Sequence, residues 1–458
     1  MELIKMNEIE MNEIVKQIFN GKKVSQKNYE ELVHETSMIL INKYNIIFDN
    51  NNLLPLDFNM ADRVYLAALD LVETTGFFAT GTKRIYKPKR DEILDNMENI
   101  GRSLTIGKGF DNICINFRKV LDERLPSIWG GPCAAPASEK YFIPIHQSYA
   151  KIRDIDNLTP ASLITSEKST LHTPLELNTA YKSIHMLNEA LKLENRPNMC
   201  YNIPPSIGDI RASLSITNCK LTSQNTIHEI YNATDMTFNI DSITQTIHYE
   251  KFGIPYDSDQ FVMLGGNTIS SPEQMAIIIV AEAIKSRTIN DTMMYFHAAL
   301  DGKTGSSSTA ESIWASSIAF LALTRNSKLL HGVDVTNFAG PCTEMMFYET
   351  AVQTISSTVC GADMLAGPVP NSLQMIDHAG GLDALFMSKM AELATTLSFD
   401  DANRICNNLY KKYNKHFTKQ VLGKHFNECY DVEKIKPIPE YNEMYHKILD
   451  KVYNFAGQ

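Results

Sequence analysis

The chain has 458 residues, 44% of them hydrophobic and 21% charged, the make-up of a globular protein with a large core. Its formal net charge is −10 with no basic block, which argues against nucleic acid or an anionic membrane surface as a partner. The longest apolar runs, such as "MAIIIVAEAI" at 275–284, are too short to cross a bilayer, and the N-terminal stretch has no apolar signal segment, so a cytoplasmic location is expected.

In chain order, "NYEELVHETSMILINKYN" (28–45) and "NMADRVYLAALDLVETTGF" (59–77) carry apolar residues at helical spacing. "RSLTIGKGFDNICINFRK" (102–119) alternates on both sides of Gly107 and Gly109, which predicts a β-hairpin. From there short apolar runs alternate with helical segments. The predicted strands are "PSIWGG" (126–131), "ASLIT" (161–165), "NMCYNI" (198–203), "DMTFNI" (235–240), "QFVMLGG" (260–266), "TMMYFHA" (292–298), "KLLHGVDV" (328–335) and "DMLAGPV" (363–369). Helices are predicted between them, among them 174–193, 271–287, 309–325 and 343–360.

Eight βα units without a G-x-G-x-x-G after the first strand predict a (β/α)₈ barrel. The expected organisation is a helical extension over 1–100 packed on the barrel, the barrel with its leading hairpin over 101–425, and a C-terminal tail and helix over 426–458. The surplus apolar faces of extension and tail predict a homo-oligomer.

Chemistry in such a barrel is sought among polar side chains projecting inward from strands. "TIHEIYNATD" carries His228 and Glu229, "YDSDQFVMLGG" carries Asp257, Asp259 and Gln260, and "HGVDVTNFAGPCTEM" carries His331, Asp334, Thr336 and Glu344. A single acid ordinarily faces solvent. Several facing one cavity would point to a cationic ligand or to acid–base work, because buried carboxylates need a partner or a proton. The eight cysteines are scattered with no C-x-x-C pair, and Cys133 and Cys342 in the two Gly-Pro-Cys stretches read as parts of tight turns. His146 and His185 have no partner at metal-ligand spacing, so no metal site is expected. Asn202 stands out as a lone amide at the end of the apolar run "RPNMCYNIPP" (196–205).

"GGPCAAPASEKYFIPIHQSYA" (130–150), "TIHEI" (226–230), "AGPCTEM" (339–345), "FNECYDV" (426–432) and the segment from Pro437 to Tyr441, in that order, resemble the monomethylamine:corrinoid methyltransferases. The resemblance implies a (β/α)₈ barrel assembled as a homohexamer. It implies transfer of a methyl group from an amine to Co(I) of a separate corrinoid protein, so that cobalamin is carried by the partner and no cofactor by this chain. It places Asn202 at the position of the family's pyrrolysine, whose imine ring holds the amine. By the same resemblance Glu229 matches a pocket glutamate with His228 beside it, and Asp259 stands for a second glutamate. Asp334 replaces a glutamine and Thr336 a tyrosine. The implied roles are catalytic for Glu229 and Asp259, and substrate-binding for Asn202, His228, Asp334 and Thr336. Without the electrophile, monomethylamine is not the expected substrate, and a quaternary ammonium, already activated, fits an acidic pocket better. Two other readings stand beside this one: a barrel hydrolase or lyase using the acids, and a non-catalytic paralogue.

Overall fold

A computed structural model of the chain describes residues 8–165, 173–203, 210–218, 225–231 and 235–457. Among these, eight parallel strands close into a barrel: β1 (Ser127–Gly130), β2 (Asn157–Leu158), β3 (Cys200–Ile203), β4 (Thr226–Tyr231), β5 (Tyr256–Leu264), β6 (Met294–Asp301), β7 (Leu330–Thr336) and β8 (Met364–Val369). Closure is made by β8 against β1, with Leu365 beside Ile128 and Ala366 beside Trp129. The helices that follow the strands are α1 (Glu139–Ala150), α2 (Leu175–Leu193), α3 (Ile210–Ser215), α4 (Ile240–Phe252), α5 (Pro272–Asn290), α6 (Ala310–Asn326), α7 (Glu344–Val359) and α8 (Gly381–Ala394). No helix among the described residues is long and apolar enough to cross a membrane.

The sequence pattern differs from this barrel at two strands. "ASLIT" contributes Ser162–Ile164, which pairs with Pro136–Ser138 outside the barrel, while the barrel position belongs to Asn157–Leu158 just before it. "DMTFNI" contributes Thr237–Phe238, which pairs with Phe77–Ala79, while the barrel takes Thr226–Tyr231. Both true strands are too short or too polar to read as apolar runs, because one has two residues and the other turns Glu229 inward. The prolines at 204 and 205 lie outside the described residues.

The barrel interior is layered. Its floor is apolar: Cys200, Ile227, Met294, Leu330 and Met364 pack with Leu104, Ile106 and Ile115 of the hairpin formed by Ser103–Ile106 and Ile113–Asn116. The hairpin plugs the N-terminal end of the barrel, and Trp129, Phe296 and Ala366 belong to the same cluster. Strand geometry then alternates inward and outward positions. On β5 this turns Asp257, Asp259, Phe261 and Met263 inward, with Gln260 outward.

Helix α5 is apolar all round, as a helix covered on every side must be. It runs between the barrel and the N-terminal helices Gln26–Tyr44 and Phe58–Thr75. Ser271 caps it by accepting from Gln274 N, and Pro272 opens its first turn. Two of its buried charges pair with each other: Lys285 meets Glu282 and also donates to Gln260 Oε1 at 3.1 Å and to the Thr237 carbonyl at 2.8 Å. The extension is tied in by Tyr29, whose hydroxyl donates to the carbonyls of Gly76 (2.7 Å) and Met236 (3.0 Å). At the other end, the Tyr430 hydroxyl accepts from Leu382 N on α8 (2.7 Å), and Tyr441 donates to Asp383.

Gly332 on β7 faces the Phe296 ring. A Cβ there would lie 2.8 Å from Phe296 Cδ1 and 2.9 Å from the Met364 carbonyl, so the ring would have to move off the floor. Gly332→Ala is therefore expected to lower the unfolding free energy by about 1–3 kcal/mol, as overpacking does. The readout is the midpoint of chemical denaturation, and an unchanged midpoint would contradict the wedge.

Candidate active site

Above the apolar floor lies a cavity of about 230 Å³ that opens at the C-terminal ends of the strands, where barrel enzymes place their chemistry. Glu229 from β4, Asp257 and Asp259 from β5 and Asp334 from β7 all face it. Trp129, Phe261 and Phe296 give it aromatic walls, and Met263, Leu300 and Leu373 stand among its upper residues. No lysine or arginine lines it among the described residues.

Strand register brings the acids together, with Glu229 directly beside Asp257. Asp257 is 1% exposed, Asp334 7% and Asp259 8%, so the carboxyl groups share a desolvated space. Burial is the main reason every one of them holds its proton to higher pH than usual. Burial and the neighbouring Asp259 and Asp257 push Glu229 well up, and burial with Asp259 does the same to Asp334. Asp257 is pushed up to about 8 by burial and Asp259, against the Asn202 hydrogen bond that lowers it. Burial raises Asp259 to about 6, while the hydrogen bond from Asp334 favours its charged form and limits the rise.

Asn202 is held at both ends. Its Oδ1 accepts from Asn157 Nδ2 at 2.8 Å and its Nδ2 donates to Asp257 Oδ2 at 2.9 Å. The other carboxyl oxygens, Asp257 Oδ1 and Asp259 Oδ1, are buried without a hydrogen-bond partner. Thr336 lines the cavity and donates to the Asp334 carbonyl at 3.3 Å.

Of the six site residues expected from the sequence, Glu229, Asp259, Asn202, Asp334 and Thr336 line this one cavity. His228 does not. Neighbouring residues on a strand point to opposite faces, so Glu229 turns inward and His228 turns out against Tyr249, ring centroids 4.9 Å apart. Burial lowers its pKa to about 3, so it is a neutral ring between sheet and helix and does not reach a ligand in the cavity. His331 likewise lies outside the cavity, its Nδ1 against the Leu329 carbonyl, and Glu344 sits at the start of α7 paired with Lys447. His146 donates from Nδ1 to the Phe142 carbonyl and accepts from Ala161 N, a structural role.

Asp257 is among the sequence candidates but has no role assigned there, although its i, i+2 relation to Asp259 puts both on one face of a strand. Cys133 also lines the cavity, at a turn with φ 44°, its thiol 3.0 Å from Thr159 Oγ1. Burial and the Asp334 carboxylate push that thiol well up, so it is an inert wall. Among the described residues no three acids, histidines or cysteines come together as a metal site.

Residues 9–456 match the family described as Monomethylamine methyltransferase MtmB. The chain is 26% identical to Monomethylamine methyltransferase MtmB of Methanosarcina mazei over 431 residues, 93% of each chain. It is equally similar to MtmB1 of Methanosarcina acetivorans over the same length. The crystal structure of Methanosarcina barkeri monomethylamine methyltransferase superposes with a TM-score of 0.92 at 25% identity, covering 97% of both chains. A crystal structure of the hydroxylamine MtmB complex does so with the same figures.

The raised carboxyl pKa values make a prediction about stability. The native state keeps a proton on Asp257 up to about 8, whereas an unfolded Asp loses its proton near 4, so the native protein binds more protons in that interval. Its contribution to stability is unpenalised below pH 4, falls as pH rises through the interval, and is constant above pH 8. Asp257→Asn removes the penalty. Its stability advantage over the wild type is expected to grow from pH 4 to pH 8 by a few kcal/mol, on the order of the linkage relation. Denaturation curves at several pH values check this, and a constant difference would refute it.

Proposed function

Because the chain belongs to the monomethylamine methyltransferase MtmB family, we propose that it transfers a methyl group from an N-methylated cation other than monomethylamine to Co(I) of a partner corrinoid protein. The observation that carries this reading is a cavity with four carboxyl groups, aromatic walls and, among the described residues, no basic side chain. Such a site lacks its counter-charge until a cation enters it.

In the transfer the methyl carbon–nitrogen bond breaks with its electron pair going to nitrogen. The cobalt pair forms the new carbon–cobalt bond, so cobalt passes formally from Co(I) to Co(III) and the amine leaves neutral. This chain's part is to hold the cation by charge, to turn its methyl toward the barrel mouth, and to exclude water below by the apolar floor. Glu229 and Asp259 hold the positive nitrogen, Asp334 shares its proton with Asp259, and Asn202 orients Asp257. Family resemblance puts pyrrolysine at position 202, and an amide has no electrophilic carbon that an amine would add to. Monomethylammonium therefore has no covalent anchor, and the cavity of about 230 Å³ is large for an ion of two heavy atoms. An open mouth with an acid-lined interior supports an active enzyme over a non-catalytic paralogue.

Methyl-cobalt formation, followed by visible absorbance over a panel of N-methylated amines, guanidines and betaines, tests the reading. Glu229→Gln and Asp334→Asn are each expected to weaken binding of the active methyl donor at least tenfold, about 1.4 kcal/mol. Asn202→Ala is expected to cost less, since it removes support and not charge. Robust methyl transfer from monomethylamine would sink the proposal.

The same reading includes an assembly of copies of this chain. Met38, Ile39, Ile47, Leu56, Phe58 and Leu66 leave apolar side chains exposed on the N-terminal extension. Light scattering is expected to give a particle larger than one chain, and a monomer at micromolar concentration would contradict it.

A further inference from the structure

Two cysteines from distant parts of the chain meet outside the cavity, on the side where the strands end. Cys342 stands in the turn between β7 and α7, and Cys429 closes the short tail helix Phe426–Cys429. Backbone hydrogen bonds clamp the two segments side by side: Gly340 N donates to the Val421 carbonyl at 2.9 Å, and Lys424 N to the Pro341 carbonyl at 3.0 Å. The Cys429 thiol lies 3.5 Å from the carbonyl of that same Lys424 and hydrogen-bonds the Cys342 thiol. Both cysteines are unbridged.

A thiolate is the attacking species in disulfide exchange, so the surroundings decide which thiols react. The hydrogen bond from Cys429, helped by the Lys424 ammonium, lowers the pKa of Cys342 against burial and the Glu440 carboxylate. The same bond, together with burial, pushes Cys429 up. Lys424 and Glu440 pair at 2.7 Å with side chains 37% and 63% exposed, so the Cys342 end of the dithiol lies next to the surface. Cys342 itself keeps 6% exposure and Cys429 2%. Other thiols are set differently. Cys360 and Cys406 are fully buried, and burial pushes Cys360 up to about 12 and raises Cys406 as well.

We propose that Cys342 and Cys429 form a redox-active dithiol, which a small disulfide oxidises to an intrachain disulfide that ties the β7–α7 turn to the tail. The Cys342 thiolate attacks one sulfur of the oxidant. The S–S bond of the oxidant breaks with its electron pair on the departing thiolate, and a mixed disulfide forms on Cys342. Cys429 then gives up its proton, and its sulfur attacks Cys342 Sγ and expels the second thiolate of the oxidant. Two protein thiols are oxidised, one small disulfide is reduced to two thiols, and the leaving thiolates take up the two protons that the cysteines lose. Cys342 is the attacking thiol and Cys429 the resolving one. The inference is independent of the proposed methyl transfer.

The test uses the full chain, first reduced, then incubated with hydroxyethyl disulfide near neutral pH. The remaining thiols are alkylated in denaturant, and the digest is read by mass spectrometry. The expected product is a peptide pair joined through Cys342 and Cys429, lost on treatment with dithiothreitol, with Cys360 and Cys406 alkylated. Single variants separate the two roles, their folding verified by denaturation curves. In Cys429→Ser, Cys342 should retain the hydroxyethyl mixed disulfide. In Cys342→Ser, Cys429 should stay a free thiol and take the alkylating agent. The inference is overturned if Cys342 and Cys429 are both alkylated after oxidation, if either one bridges to a different cysteine, or if Cys429 captures the oxidant in Cys342→Ser.

Discussion

Four carboxyl groups facing one cavity, with no lysine or arginine beside them among the described residues, dominate the interior of this barrel. Several buried acids elsewhere have partners close by. Asp111 is paired with Arg196 at 2.7 Å, and Glu282 with Lys285. Asp363 accepts from His331 N at 2.9 Å and from Arg118 N. Buried charge is tolerated where partners surround it and is costly where they are removed. The cavity acids have no basic partner among the described residues, and burial raises the pKa of each of them. An arriving cation supplies what the fold withholds.

The rest of the fold keeps this arrangement from relaxing. Below the acids, the hairpin side chains Leu104, Ile106 and Ile115 fill the end of the barrel, so water has no route from that side. Behind them, β5 is held on its outer face by Gln260, which accepts from the buried Lys285 of α5, while its inner face carries Asp257 and Asp259. Helix α5 is in turn covered by the N-terminal helices, which explains why a sequence as apolar as "MAIIIVAEAI" belongs to a barrel helix. Rigid strands, and not loops, therefore set the spacing of the acids, as positioning to a fraction of an ångström requires.

How much of this was legible in the sequence depends on which face a residue turns. Six predicted strands, from "PSIWGG" to "DMLAGPV", coincide with barrel strands because their apolar runs are buried on both sides. β4 was missed as a strand because "TIHEIY" faces a polar cavity and so lacks an apolar run, and β2 because two residues carry no period at all. The site shows the same effect. Glu229, Asp259, Asp334 and Thr336 were reached through family resemblance, whereas Asp257 needed the strand register that sets it beside Glu229. His228 was drawn into the site by standing next to Glu229 in sequence, which on a strand is the reason it faces away. A functional strand breaks the hydrophobic pattern at the very positions that matter, so pattern reading is weakest there.

Asn202 shows what a neutral group contributes to a charged site. An apolar residue at that position would leave Asp257 Oδ2 and Asn157 Nδ2 without partners, adding to the acceptors already unsatisfied. A lysine would cancel the charge that a ligand is needed to meet. The amide does neither: it fixes the plane of the Asp257 carboxyl and favours its ionised form, yet leaves Oδ1 free. It also passes orientation along the chain from Asn157, so two hydrogen bonds in series fix which oxygen of Asp257 is bonded. The lone amide at the end of a buried strand is thus a positioning residue, acting on the cavity through the acid it orients.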